Sequence, residues 1–229
     1  MGENVSFASN GGTTGGYLAT PEAGKGPGVI VVQEWWGLVG QIKGVADMLA
    51  GQGFNALVPD FYHGKVAPIG EPDKAGKLMM EMNIDQAAKD ARGAAQYLAK
   101  HPATGSQKIG VVGFCMGGML ALLTGTVAPE QVGVVVDCYG VPPPKKPDYA
   151  AMKGTPVLVI FGENDGYREK ALPALEKDLK AAGVPFETVI YPEADHAFLN
   201  DERPEVHRAD HAEDAWGRIV PFLRKNLGG

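Results

Sequence analysis

Lys108-Ile109-Gly110-Val111-Val112-Gly113-Phe114-Cys115-Met116-Gly117-Gly118 is the stretch that decides how the rest of the chain is read. An unbroken apolar run ends in Gly-x-Cys-x-Gly, and a small-residue helix is expected to begin at Met119-Leu120-Ala121-Leu122-Leu123. Consecutive apolar residues suit a strand covered on both faces, as in a parallel sheet. The glycines predict a sharp strand-to-helix turn, because Gly113 and Gly117 remove side chains that would collide with neighbouring backbone. Cys115 then stands at a helix N-terminus, where the positive end of the helix dipole favours thiolate. This is the nucleophile-elbow pattern with sulfur in place of the serine oxygen. The bland alternative is a buried structural cysteine after a strand. The glycine spacing does not fit dinucleotide binding, and no Gly-Lys-Ser/Thr follows, so phosphate loops are excluded.

Similar apolar runs recur at Val29–Val32, Asn55–Val58, Val132–Cys138, Val157–Phe161 and Thr188–Tyr191, and Val5-Ser6-Phe7 reads as a short first strand. Helical stripes lie between them. Ile84, Ala88, Ala91, Ala95 and Leu98 share one face, as do Ala209, Ala212, Trp216, Val220 and Leu223. Arg168 to Ala182 is a further helix closed by Gly183. Strands alternating with helices predict an α/β fold with a mostly parallel, doubly wound sheet and helices on both faces. The Pro-rich piece Val141 to Pro147 reads as a loop, and residues 1–229 as one domain.

Composition removes other classes. The 229 residues are 45% hydrophobic and 21% charged, as in a globular chain that can bury a core. With 21 Lys+Arg against 27 Asp+Glu, the net charge of −6 argues against a nucleic-acid partner. No apolar run is long enough for a membrane span. The N-terminus lacks a basic start and an apolar stretch, so no secretory signal is expected, and two cysteines are too few for a disulfide scaffold. These features point to the cytoplasm. Met1-Gly2 with Ser6 and Asn4-Val5-Ser6 fit myristoylation and glycosylation patterns short enough to arise by chance. The 32 glycines lack the period of collagen, and Gly11-Gly12 with Gly15-Gly16 read as hairpin-turn chemistry.

An elbow predicts an acid and then a histidine further along the chain. Val157–Phe161 runs into Gly162-Glu163-Asn164-Asp165, and Thr188–Tyr191 into Pro192-Glu193-Ala194-Asp195-His196. Both exits share the sheet edge with Cys115, where ligands bind in open α/β sheets. Asp165 is the preferred acid over Glu163 and Asp195. His196 is the preferred histidine, since His63 precedes Cys115 and His101 follows no strand. His207 and His211 are spaced for one helix face, but no third metal ligand accompanies them, so they read as a solvated face and no metal or cofactor is called for. Val29–Val32 also runs into Gln33-Glu34-Trp35-Trp36-Gly37. In an elbow fold this loop gives one oxyanion N–H, and the residue after the nucleophile, Met116, gives the other. Glu34 beside a thiol would oppose thiolate formation or take its proton. Otherwise it is an exposed loop acid.

Taken together these residues resemble the dienelactone hydrolase family of α/β-hydrolases. The likeness lies in Gln33-Glu34-Trp35-Trp36-Gly37, Val58-Pro59-Asp60-Phe61-Tyr62, Gly113-Phe114-Cys115-Met116-Gly117-Gly118, Cys138-Tyr139-Gly140, Phe161-Gly162-Glu163-Asn164-Asp165 and His196-Ala197-Phe198. Asn200, Arg203-Pro204 and Ala215-Trp216 extend it toward the end of the chain. The resemblance implies a carboxymethylenebutenolidase-like ester hydrolase. Cys115 would be the nucleophile, His196 and Asp165 its partners, Glu34 the acid exchanging the thiol proton, and Trp35 and Met116 N–H the oxyanion hole. It also implies two arginines clamping a substrate carboxylate. This chain has no arginine from Met1 to Ala91, and Asn200 stands four residues after His196, which leaves Arg203 as the substitute. Trp35, Trp36, Phe61, Tyr62, Tyr139 and Phe198 are expected to line an aromatic substrate pocket with Arg203.

Sulfur constrains the substrate. A thiolate leaves a tetrahedral intermediate more readily than an alkoxide, so alkyl esters revert, whereas enolates and phenolates compete as leaving groups. Activated esters and enol lactones are therefore expected, cleaved through a thioester that water, activated by His196, then hydrolyses. The alternatives are a redox-sensing thiol protein, with Cys138 as resolving residue, or a binder that has lost catalysis. The expected state is a monomer or weak homodimer acting on a small lactone or ester.

Overall fold

The computed structural model describes residues 2–9 and 11–228; Met1, which opens the myristoylation-like pattern, lies outside them. Eight strands are ordered along the chain as β1 (Glu3–Ser9), β2 (Gly12–Ala19), β3 (Gly28–Val32), β4 (Asn55–Pro59), β5 (Ile109–Phe114), β6 (Val132–Cys138), β7 (Val157–Gly162) and β8 (Phe186–Tyr191). The helices are α1 (Gly40–Gly51), α2 (Pro72–Glu81), α3 (Ile84–Lys100), α4 (Met116–Val127), α5 (Arg168–Ala182) and α6 (Ala209–Leu227). In space the sheet runs β1-β2-β4-β3-β5-β6-β7-β8. The first two strands join antiparallel, and β4, β3, β5, β6, β7 and β8 run parallel.

Every residue of β3, β4, β5 and β7 is buried, which explains their unbroken apolar runs. Helices α3 and α4 pack together over one face, and α1 and α6 over the other. The α5 stop is a Gly183 in the left-handed conformation, φ +69°, which donates back to the last turn. Among the described residues no helix is long and apolar enough to cross a membrane.

Three expectations change. Gly11 does turn the β1–β2 hairpin with φ +78°, but Gly15 and Gly16 lie inside β2, paired with Ser6 and Val5. A Cβ at Gly16 would come within 2.8 Å of the Val58 carbonyl oxygen, so the close approach of β4 selects glycine there. Helices α1 and α2 add to the pattern. Finally, α4 starts at Met116, directly after Cys115, so its first turn is made from the elbow glycines themselves.

Candidate active site

The site forms where β3, β5, β7 and β8 end along one edge of the sheet. Cys115 stands between β5 and α4 with φ 57° and ψ −120°, a conformation that side chains other than glycine rarely adopt. Its N–H donates to Cys138 O at 3.0 Å, and its carbonyl accepts from Gly118 N at 3.0 Å. A Cβ at Gly113 would overlap the Gly117 carbonyl, and one at Gly117 would overlap the carbonyls of Val32 and Gln33. The backbone therefore closes tightly on both sides of the cysteine and holds the strained turn in place.

His196 meets its acid directly. Nδ1 donates to Asp165 Oδ2 at 2.7 Å, and Asp165 Oδ1 is fixed by the Tyr167 N–H at 2.8 Å. Glu163 instead caps the Glu193 N–H at 3.0 Å, so Asp165 is the acid that reaches the ring. The other ring nitrogen, Nε2, is buried without a formed hydrogen bond, and Cys115 is the side chain it interacts with besides Asp165. Burial opposes a charged ring, but the Asp165 hydrogen bond and the interaction with Cys115 outweigh it, and the His196 pKa is pushed up to about 10. An imidazolium beside sulfur stabilises the thiolate.

Glu34 is buried, not an exposed loop acid, at 3% exposure. Its Oε2 accepts from Asn200 Nδ2 at 2.9 Å and Trp36 Nε1 at 3.1 Å, and Tyr139 OH stands 3.5 Å from Oε1. Burial raises its pKa against the lowering effects of Asn200, His196, Arg203 and Trp36. With Oε2 committed to two donors, a proton on this carboxyl resides on Oε1. Neither Trp35 N–H nor Met116 N–H donates to any acceptor among the described residues.

These groups open on a cavity of about 430 Å³ lined by Glu34, Trp35, Met79, Cys115, Val141, Pro142, Tyr167, His196, Ala197 and Arg203. Arg203 is among the lining residues, its Nε 2.8 Å from Glu205 Oε1. Of the aromatic residues expected there, Trp35 lines the cavity and the other five do not. Trp36 turns inward to hold Glu34, and Tyr139 packs edge-on to His196 at 5.2 Å. Phe198 packs against Tyr139 beneath the site. Phe61 and Tyr62 line a separate cavity of about 230 Å³, with the Tyr62 hydroxyl on Met116 Sδ at 3.2 Å. Aromatics that directly follow a buried strand continue into the core, and the lining comes from loops that fold back over it. Met79 on α2 and Tyr167, edge-on to His196 at 5.1 Å, take the lining role instead. Tyr167 had a usable signal, since it lies two residues after Asp165.

The remaining candidates serve structure. His207 precedes α6, and its Nδ1 donates to Phe198 O at 3.0 Å, while His211 Nε2 donates to Pro192 O at 3.0 Å. Both are half-buried ties and not a solvated helix face. Among the described residues no cluster of three or more His, Cys, Asp and Glu is placed to hold a metal. Cys138 is fully buried, and burial pushes its thiol well above the ordinary range, a poor setting for a resolving cysteine.

Known proteins share this frame. The model of the dienelactone hydrolase family matches residues 14–227. "Protein usf" of Aquifex pyrophilus is 37% identical over 234 residues, covering 99% of this chain and 100% of that one. A relative from Aquifex aeolicus, provisionally named carboxymethylenebutenolidase, is 35% identical with the same coverage. The crystal structure of a provisionally named dienelactone hydrolase from Klebsiella pneumoniae is 28% identical, covers 98% of both chains and superposes with a TM-score of 0.85. With relatives aligned end to end and the family model running from β2 through α6, this chain has the α/β-hydrolase fold and belongs to the dienelactone hydrolase family.

Proposed function

We propose that this chain cleaves small activated carboxylic esters and enol lactones through a thioester on Cys115. The observation that carries the reading is His196, bonded through Nδ1 to Asp165 at 2.7 Å and with Nε2 left unbonded on the Cys115 side of the cavity. A base oriented by an acid, with its second nitrogen kept for the nucleophile, is the geometry of nucleophilic catalysis. Relatives named carboxymethylenebutenolidase support the same class.

In the first step the thiolate attacks the ester carbonyl carbon, and the carbonyl electrons move onto oxygen. The Trp35 and Met116 N–H groups are the donors for that oxyanion. Collapse expels the enolate or phenolate, which takes the proton of the His196 imidazolium, and leaves the thioester beside a neutral ring. Water then gives its proton to His196 Nε2 as its oxygen attacks the thioester carbon, and the second collapse returns the thiolate and releases the acid. Glu34, whose buried carboxyl holds a proton more readily than usual, exchanges the thiol proton in the resting site. Arg203 provides one cation for a substrate carboxylate in an otherwise largely apolar cavity. A reactive free thiol needs a reducing compartment, so we place the protein in the cytoplasm.

The test compares aryl and alkyl acetates, each rate divided by that of uncatalysed hydrolysis. The reading predicts a much larger acceleration for p-nitrophenyl acetate than for ethyl acetate. Equal acceleration contradicts it.

A further inference from the structure

A second cavity, of about 240 Å³, lies on the far side of Val141 and Pro142, which line both this cavity and the catalytic one. Its body is apolar, with Met119 and Leu122 from α4 and Leu175 from α5. Asp137 of β6 also lines it, and the steps above make no use of this acid. The carboxyl is buried and interacts with the Gly140 backbone N–H, while its Oδ1 is left without a hydrogen-bond partner. A Cβ at Gly118 or at Gly140 would overlap Oδ1, so two glycines of the nucleophile region make the room in which this acid sits. Burial pushes the Asp137 pKa up to about 7.

A buried acceptor without a donor is rare in folded proteins, because it loses its water and gains nothing. Asp137 Oδ1 therefore calls for a donor from a ligand. The charges of the lining narrow the ligand further. Asp137 and Asp178 are balanced by Lys146 and Lys170, and Lys146 Nζ is already 2.6 Å from Asp178 Oδ1. A cation meets two lysines there and an anion meets two carboxyls, so a neutral molecule is favoured. The volume equals roughly eight waters, below the usual range of drug-sized sites, which suits a single ring or a short chain.

We propose that this cavity is a second binding site, for a neutral hydroxyl-bearing small molecule of the phenol or enol class. The hydroxyl donates to Asp137 Oδ1, and the apolar body lies against Met119, Leu122 and Leu175. Phenols and enols are also the leaving groups of activated esters, so the occupant is the alcohol product, held one wall away from where it forms. That last link rests on the hydrolase reading, whereas the binding site does not.

The test uses p-cresol and p-xylene, which differ by the hydroxyl, titrated onto the full chain and onto Cys115→Ala while backbone amide resonances are followed. Saturable shifts at Gly118, Gly140 and α5 are expected with p-cresol in both proteins, with p-xylene binding about tenfold more weakly for want of one hydrogen bond. Ala174→Trp, at an exposed position of α5 that lines the cavity, should abolish these shifts while leaving ester hydrolysis unchanged. The proposal is overturned if p-cresol shifts only Trp35 and Tyr167, if Ala174→Trp has no effect on its binding, or if p-xylene binds equally well. The xylene comparison needs no variant and stands even if Ala174→Trp fails to fold. Binding of p-cresol by a chain that hydrolyses no ester supports the site and removes only the link to the leaving group.

Discussion

Among the described residues two histidines pair with a buried aspartate, and the wiring of these two pairs differs. At one, His196 Nδ1 lies 2.7 Å from Asp165 Oδ2, with 21% and 0% of the side chains exposed. At the other, His63 Nε2 lies 3.0 Å from Asp90 Oδ2, with 46% and 1% exposed, close enough to pair but not aligned as a hydrogen bond. Asp90 even has a serine, since Ser9 Oγ donates to its Oδ1, joined by Thr14 Oγ1 at 2.8 Å and Gln86 Nε2 at 3.1 Å. Serine, histidine and aspartate are thus all present at the second pair. There the hydroxyl donates to the acid and not to the ring, so the histidine is not placed to take its proton. At the first pair the acid takes one nitrogen and the cavity keeps the other. Composition cannot tell these pairs apart; connectivity does.

Removing each acid sharpens the contrast most. Asp165→Asn should lower kcat on p-nitrophenyl acetate by about 10³- to 10⁴-fold, because the ring loses its orientation and the support for its charge. Asp90→Asn should leave kcat within about twofold and instead lower the unfolding free energy by about 1–3 kcal/mol, since it disturbs a buried junction of β1, β2 and α3. Steady-state kinetics and urea unfolding of both variants check the pair. The opposite pattern would reverse the assignment.

Stability against pH separates the two pairs next. Folded His196 holds its proton up to about pH 10, against an ordinary value of 6.5. The folded state thus binds the proton more tightly, so the stabilisation is complete below about pH 6.5 and is lost as pH rises through 10. The decline is on the order of a few kcal/mol. Urea midpoints between pH 6 and 10 should show a slope that His196→Gln removes and His63→Gln keeps.

Glu34→Gln has no counterpart at the second pair, because only the first faces a thiol. Its expected loss in kcat is about a hundredfold, with the reaction's pH profile altered, as for removal of a proton-exchanging group. A profile identical to that of the unaltered protein would make Glu34 a purely structural acid. The smallest effect concerns the cavities that the pairs face. Arg203→Met should cost about tenfold in kcat/KM on a carboxylate-bearing enol lactone and little on a neutral one. Lys65→Met, lining the cavity beside His63, should change neither.

The parts of this design that are local in the chain were legible in the sequence. The elbow could be read because the two glycines and Cys115 lie within five residues, and their steric need is met by the backbone of the same turn and of β3. Asp165 and His196 could be read because each follows a buried strand by a few residues. The missed parts depend on distant segments. Strand β2 carries three glycines in eight residues and is held as a strand by β1 and β4 on either side. Helix α2 buries only Ala75 and Leu78, too short a stripe to register, yet it brings Met79 to the cavity. Asn200 holds Glu34 only because the chain after β8 folds back across the end of β3. The aromatic residues misled for the same reason. Their order along the chain says that they leave strands, and not whether they turn toward solvent or core.

The central claim is that Cys115 carries the acyl group, and one measurement meets it directly. The protein is mixed with p-nitrophenyl acetate, quenched in acid within the first turnovers, digested and mapped by mass spectrometry. The account predicts one acetyl group on the peptide that contains Cys115, absent in Cys115→Ala and persisting longer in Asp165→Asn. An acetyl group on Ser9 or another residue, or hydrolysis that continues in Cys115→Ala, would contradict it.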